Sequence, residues 1–173
     1  LPRRIDEDGL ARVIKNHSVL FYTGAGLSVA SNVPAMGELK SLLGLEMGEN
    51  FLLSLRGAIE NPREFASKIA GFHQACFSNA PNGAHFALKE LADFKNIRLI
   101  TENHDCLHEA SGIYPYRINA KHLREEVGGE SVCGFDYIIC VGLSYDDRGF
   151  LAWYKEHNPE GKIIAIDLQQ PSY

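Results

Sequence analysis

Two glycines separated by one residue close a run of β-branched and aromatic residues: "SVLFYT" (18–23) leads straight into Gly24-Ala25-Gly26-Leu27-Ser28. A strand that turns through glycine into a helix can hold a pyrophosphate against its backbone. Gly24 and Gly26 let the anion approach closely, and the helix that follows points its N–H groups and its positive dipole end at it. The dinucleotide fingerprint G-x-G-x-x-G lacks its third glycine here, where Val29 stands, so taken alone the pattern also describes a tight turn without a ligand. A second cluster follows the apolar run "NIRLIT" (96–101): Glu102, Asn103, His104 and Asp105, with His108 three residues on. Polar groups gathered at a strand end suit a ligand better than a core. His17, His73 and His157 read as solvated side chains, and His85 and His108 as packed, hydrogen-bonded ones.

These residues need elements to position them. Four nearly continuous apolar runs, 18–23, 96–101, 136–144 and 162–167, have the composition of parallel strands covered on both faces. The stretch "YPYRIN" (114–119) is a weaker fifth strand. Helical spacing recurs over 6–16, 49–60, 61–77, 81–94 and 147–158. Asn61 and Pro62 suit a helix start, and the last helix has an Asp start and stops before Pro159-Glu160-Gly161. Alternating strands and helices predict a single domain over 1–173 of α/β class: a doubly wound, mostly parallel, Rossmann-like sheet with helices on both faces. Ligands of such sheets lie at the carboxyl ends of the strands, which here are "TGAGLS", "TENHD", "VGLS" and "IDLQQP".

The composition narrows the function. At 173 residues with 45% hydrophobic content the chain can bury a core, and a net charge of −5 argues against a dedicated nucleic-acid binder. No apolar run is long enough to span a bilayer, and the opening "LPRRIDEDGL" has no apolar signal core. That opening begins at Leu1 rather than Met, as in a cut or tagged chain. The cysteines Cys76, Cys106, Cys133 and Cys140 form no C-x-x-C pair, so no structural zinc is expected, and reduced thiols in the cytoplasm are.

Read together, the motifs resemble those of the sirtuin (Sir2-like) family. The family's G-A-G-[IL]-S followed by S-G-I-P-D-F-R is matched by Gly24 to Ser28 and by Ser31-Asn32-Val33-Pro34-Ala35-Met36-Gly37. Its T-Q-N-[IV]-D-x-L-H-x-x-A-G is similar to Thr101-Glu102-Asn103-His104-Asp105-Cys106-Leu107-His108-Glu109-Ala110-Ser111-Gly112. "PNGAH" (81–85), "VGLS" (141–144) and "IIAIDLQQP" (163–171) resemble three further family segments in the same order, from Val19 to Pro171.

The resemblance implies an NAD-dependent protein deacylase that cleaves the nicotinamide–ribose bond. It implies that Asp105 holds the carboxamide and that Asn103 holds ribose hydroxyls or a water. By the same resemblance His122, ten residues past Gly112, is expected to be the general base, although Leu123 stands where the family has glycine. Ser28 and the amides of Ala25 and Gly26 bind pyrophosphate, with Pro34 in the same motif. Met36 shields the ribose, Gly142 and Ser144 contact phosphate or the adenosine ribose, and Asp167 accepts from ribose hydroxyls in place of the family's Asn. An acylated-lysine peptide is the partner implied.

Three departures widen the choice of function. The family's zinc-binding cysteine insertion and its F-G-E segment, which help form the peptide cleft, are missing. D-F-R is Ala35-Met36-Gly37 here. Glu102 replaces Gln, and a carboxylate there can stabilise a cationic transition state or act as a base for water. The alternatives are an NAD glycohydrolase or ADP-ribosyl-transferring enzyme, and a non-catalytic module that binds NAD or ADP-ribose. A dehydrogenase is a distant further reading, since no substrate domain fits in this length.

Overall fold

The computed structural model describes residues 4–35, 38, 58–95, 97–117, 126–146, 148–168 and 171–173. Helix α1 (Glu7–Asn16) starts where Asp6 accepts a hydrogen bond from the Gly9 N–H at 2.7 Å, a side-chain N-cap. Strand β1 (Val19–Thr23) is buried at every position, which explains why its sequence shows no polar alternation. Helix α2 (Pro62–Phe77) begins at proline as its sequence predicts, although Asn61 makes no side-chain cap bond. Helix α3 (Gly83–Phe94) is closed by a capping box between Asn82 and His85.

After β2 (Arg98–Thr101), the chain makes one helical turn, α4 (Leu107–Ala110), and the two-residue strand β3 (Tyr116–Arg117). A hairpin, β4 (Glu126–Val127) with β5 (Glu130–Ser131), precedes β6 (Tyr137–Val141), α5 (Phe150–His157) and β7 (Lys162–Ile166). The five-stranded sheet has the order β3-β2-β1-β6-β7 with every neighbouring pair parallel. The chain moves outward from β1 through β2 to β3, then returns to lay β6 against the other side of β1. The strand order therefore reverses between β1 and β6, the kind of switch point at whose carboxyl end doubly wound sheets bind ligands.

Each face of the sheet carries its own core. Leu20, Tyr22, Ile100, Ile138 and Cys140 pack against Phe150, Leu151 and Tyr154 of α5 and against Val127 and Val132. On the other face Val19, Phe21, Leu99 and Ile139 pack with Leu27, Leu88 and Ile113, and α1 adds Leu10, Val13 and Ile14. The doubly wound, parallel α/β architecture agrees with the sequence pattern.

The structure adds local detail to the sequence pattern. Of the fifth strand, read over 114–119, Tyr116 and Arg117 pair with β2, and residues 118 and 119 lie outside the described residues. The segment after the glycines, Ala25–Ser31, is a 3₁₀ helix that ends at Asn32 in the left-handed region (φ 61°). Asp147, read as the start of the last helix, lies outside the described residues, and the Asp146 carboxylate accepts from the N–H groups of Phe150 at 2.8 Å, Leu151 at 3.2 Å and Ala152 at 3.1 Å. The β4–β5 hairpin is too short to show a period in sequence. Most of the helix read over 49–60 lies outside the described residues.

Gly142 follows β6 with φ of 62°, and a Cβ there would lie 2.1 Å from the Leu27 backbone nitrogen and 2.5 Å from the Gly26 carbonyl carbon. Gly142→Ala is expected to destabilise the fold by about 2–5 kcal/mol, from left-handed strain plus overpacking. The check is the denaturant midpoint; an unchanged midpoint would show that the two loops do not pack this way.

Candidate active site at the carboxyl edge of the sheet

Ladder hydrogen bonding continues past the strand ends and aligns the loops. Gly24 N–H donates to Val141 O at 3.0 Å, Gly26 N–H to Gly142 O at 2.9 Å, Gly142 N–H to Ile166 O at 3.0 Å and Glu102 N–H to Thr23 O at 3.1 Å. Added Cβ atoms on Gly24 and Gly26 would come within 2.7 Å and 2.8 Å of the Gly142 backbone. The glycines therefore permit backbone-on-backbone packing, and the Gly26 amide, expected to meet a pyrophosphate, is engaged with Gly142.

The β2 loop folds against this platform. The Asn103 amide donates to Gly24 O at 3.0 Å and to Ser28 Oγ at 3.2 Å, and Ser28 Oγ donates to Asp105 Oδ2 at 2.6 Å. Asp105 Oδ1 accepts from Leu107 N–H at 3.0 Å and so starts α4. Cys106 makes the turn in the left-handed region. Ser28, Asn103 and Asp105 are all buried, so they form a braced network beneath the loop surface, and Ser28 has its hydroxyl directed at Asp105. Two residues without a sequence signal brace it further. Asn82 donates to Leu27 O at 2.8 Å and Ser31 Oγ at 3.1 Å, and the Arg117 guanidinium donates to Asn103 O and Glu109.

Glu102 belongs to the other face of the sheet. Its carboxylate accepts from the Tyr22 hydroxyl, with Arg148 Nε 3.5 Å away. Tyr22 could have been suspected from sequence, because a tyrosine in a buried strand needs a polar partner near the strand end. At the ends of β6 and β7, Ser144 Oγ donates to Asp167 Oδ2 at 3.2 Å, and Tyr173 OH donates to Leu143 O at 2.9 Å. Ala25 and Pro34 are partly buried beside the glycine loop, whereas Met36 and His122 lie outside the described residues. Among the described residues, no group of three His, Cys, Asp or Glu is placed to hold a metal.

Below Asn103 the histidines pack as their sequence setting suggests. Thr23 Oγ1 donates to Thr101 Oγ1 at 2.8 Å, so its 2.9 Å contact with His108 Nε2 makes that nitrogen the donor. His85 Nδ1 accepts from Asn82 N–H at 3.3 Å, which puts the His85 proton on Nε2. His85 Nε2 and His108 Nδ1 are then a complementary donor and acceptor, both buried and unpartnered, on rings 5.1 Å apart. Burial lowers the pKa of both, that of His108 to about 4.

No family model matches the chain. Among curated proteins it is similar to an NAD-dependent protein deacetylase of Listeria monocytogenes, 27% identical over 156 residues, covering 86% of this chain and 67% of the relative. It is also similar to an NAD-dependent protein deacylase of Mycolicibacterium paratuberculosis, 32% identical over 93 residues, and spans 39% of that relative's length. Among solved structures, a Sir2 homolog–NAD complex superposes with a TM-score of 0.74 at 22% identity, over 98% of this chain and 85% of that one.

The buried histidines give the site an acid limit. An unfolded His titrates near pH 6.5 and His108 in the fold near 4, so between these values the unfolded chain binds more protons. The histidine contribution is complete above about pH 6.5 and is lost as pH falls toward 4, by about 3 kcal/mol for His108. Denaturation midpoints from pH 7 to 4 check this, and His108→Gln is expected to flatten the slope.

Proposed function

We propose that this chain, Sir2-like in sequence and in fold, binds NAD across the carboxyl edge of its sheet and cleaves the nicotinamide–ribose bond. The observation that carries the reading is the junction at the switch point: the Gly24–Gly26 backbone lies against Gly142, and the Asn103–Ser28–Asp105 network lies beside it. The curated relatives named above are NAD-dependent deacetylases and deacylases, and the structural neighbour is an NAD complex. In this reading the glycine loop and Ala25 take the pyrophosphate, and Asn103 and Asp105 flank the nicotinamide end. Ser144 and Asp167 take the adenosine ribose. Asp167 accepts hydroxyls and repels a 2′-phosphate, which favours NAD over NADP. His122 takes a proton from a ribose hydroxyl, and Pro34 and Met36 cover the ribose.

The glycosidic electron pair leaves with nicotinamide, and an oxygen bonds to the ribose C1′. In the leading reading that oxygen is the carbonyl of an acylated lysine, and the acyl group is transferred to the ribose. A second reading, hydrolysis by water, is favoured by the absence of any C-x-x-C pair or F-G-E segment to build a peptide cleft. All four cysteines are free, which suits the reducing cytoplasm as the place of action.

The experiment is NAD titration followed by nicotinamide release, with and without an acetyl-lysine peptide, in wild type, Asn103→Ala and His122→Ala. Release is expected in wild type and should fall by roughly 10²–10⁴-fold in His122→Ala. Dependence on the peptide identifies a deacylase, and release without it a glycohydrolase. Binding without release leaves an NAD or ADP-ribose sensor, and no binding removes the reading altogether.

A further inference from the structure

Asn82 does two things that no other strong helix cap combines. As the N-cap of α3, its Oδ1 accepts from the Ala84 N–H at 2.9 Å, and its backbone N–H donates to His85 Nδ1 at 3.3 Å. Its Nδ2 donates out of the helix, to Leu27 O at 2.8 Å and to Ser31 Oγ at 3.1 Å. One orientation of the amide serves both sides, because the Ala84 N–H needs an acceptor and Leu27 O needs a donor. Asp and Ser cap helices about as well as Asn. A carboxylate, however, has no hydrogen to give to Leu27 O, and a serine hydroxyl stands one bond shorter on its side chain. The cap alone therefore does not call for an amide at this position; the contacts with Leu27 and Ser31 do.

The segment that Asn82 grips needs an external hold. Ala25–Ser31 is a 3₁₀ helix, a form with poorly aligned internal hydrogen bonds, and it carries Ser28, which donates to Asp105. Leu27 and Ser31 are buried, and Leu27 shares an apolar cluster with Leu88 of α3. Leu27 O belongs to the planar Leu27–Ser28 peptide, so holding that oxygen orients the plane from which Ser28 projects. Asn103 holds Gly24 O at 3.0 Å, and the Gly26 N–H is bonded to Gly142 O. The glycine loop is thus tied at Gly24 and Gly26 by the loops after β2 and β6, and at Leu27 and Ser31 by the start of α3. On the NAD reading above, on which this inference rests, we propose that Asn82 is a positioning residue for nucleotide binding. It holds the glycine loop in its binding conformation through Leu27 and Ser31, and it acts on the ligand only through that loop. Without this grip the loop populates other conformations, and the apparent affinity falls by the fraction of chains that keep the competent one.

The test is calorimetric titration of ADP-ribose into the whole chain, as wild type, Asn82→Asp and Asn82→Ser, under conditions where circular dichroism shows each to be fully folded. Both variants keep the α3 cap. Asn82→Asp loses the donor and adds a charge, whereas Asn82→Ser loses the reach and adds none. Each is expected to weaken ADP-ribose binding by about tenfold. Ser31→Ala removes one of the two contacts and leaves the cap intact, and is expected to weaken binding by about two- to threefold. A bond that serves only the fold lowers the denaturation midpoint and leaves the affinity of the fully folded chain unchanged. Wild-type affinity in folded Asn82→Asp and Asn82→Ser would therefore overturn the proposal. Weakening confined to Asn82→Asp would assign the effect to the added charge and overturn it as well. If both variants at Asn82 fail to fold, Ser31→Ala decides, and wild-type affinity there overturns the proposal. Wild type that does not bind ADP-ribose removes the NAD reading, and this proposal with it; wild type that binds while the folded variants match it removes the proposal alone.

Discussion

The close approach of two loop backbones, after β1 and after β6, is the constraint on which the rest of the site depends. Gly24, Gly26 and Gly142 meet where side-chain carbons do not fit, and the Gly26 amide bonds across to the Gly142 carbonyl. This junction lies where strand order reverses, so it sets the level of the loops at the carboxyl edge. Asn103 reaches Gly24 O only because that carbonyl is held in place, and Ser28 and Asp105 follow from Asn103. A shift of the junction would therefore move the polar groups of the β2 loop as a unit.

The polar groups at the carboxyl edge are bonded mainly to one another. Thr23, Thr101 and His108 form one chain, Asn103, Ser28 and Asp105 another, and Arg117 ties the Asn103 carbonyl to Glu109. Buried polar networks stabilise when every member is satisfied and weaken the fold when one is not. His85 Nε2 and His108 Nδ1 are the members left open, and keeping both rings neutral limits the cost. On the opposite face of the sheet, the Glu102 carboxylate at the end of β2 is matched by a phenol and a guanidinium.

The sheet was legible because its strands are buried on both faces: β1, β2, β6 and β7 each read as an apolar run ending in glycine or polar residues. The positions of Gly24, Asn103 and Asp105 were legible too, because strand ends are where a parallel sheet gathers its ligand groups. What the sequence did not disclose depends on contacts between distant segments. Asn82 reaches Leu27 and Arg117 reaches Asn103, and neither separation leaves a local pattern. The pairing of Ser28 in its 3₁₀ turn with Asp105 likewise joins segments far apart in sequence. Within "YPYRIN", Tyr116 and Arg117 pair with β2, as the strand-forming composition of that stretch suggests.

The Asn103–Ser28–Asp105 chain also has a direction. Asn103 donates to Ser28 and Ser28 donates to Asp105, while the second amide hydrogen of Asn103 goes to Gly24 O. Both hydrogens of that amide are thus taken within the protein, and its side-chain oxygen can only accept. The side chain can greet a hydroxyl or a water only by receiving its hydrogen. Polarity runs one way through this corner of the molecule, toward the Asp105 carboxylate, and a ligand that offered another acceptor to Asn103 would have to break the chain to be recognised.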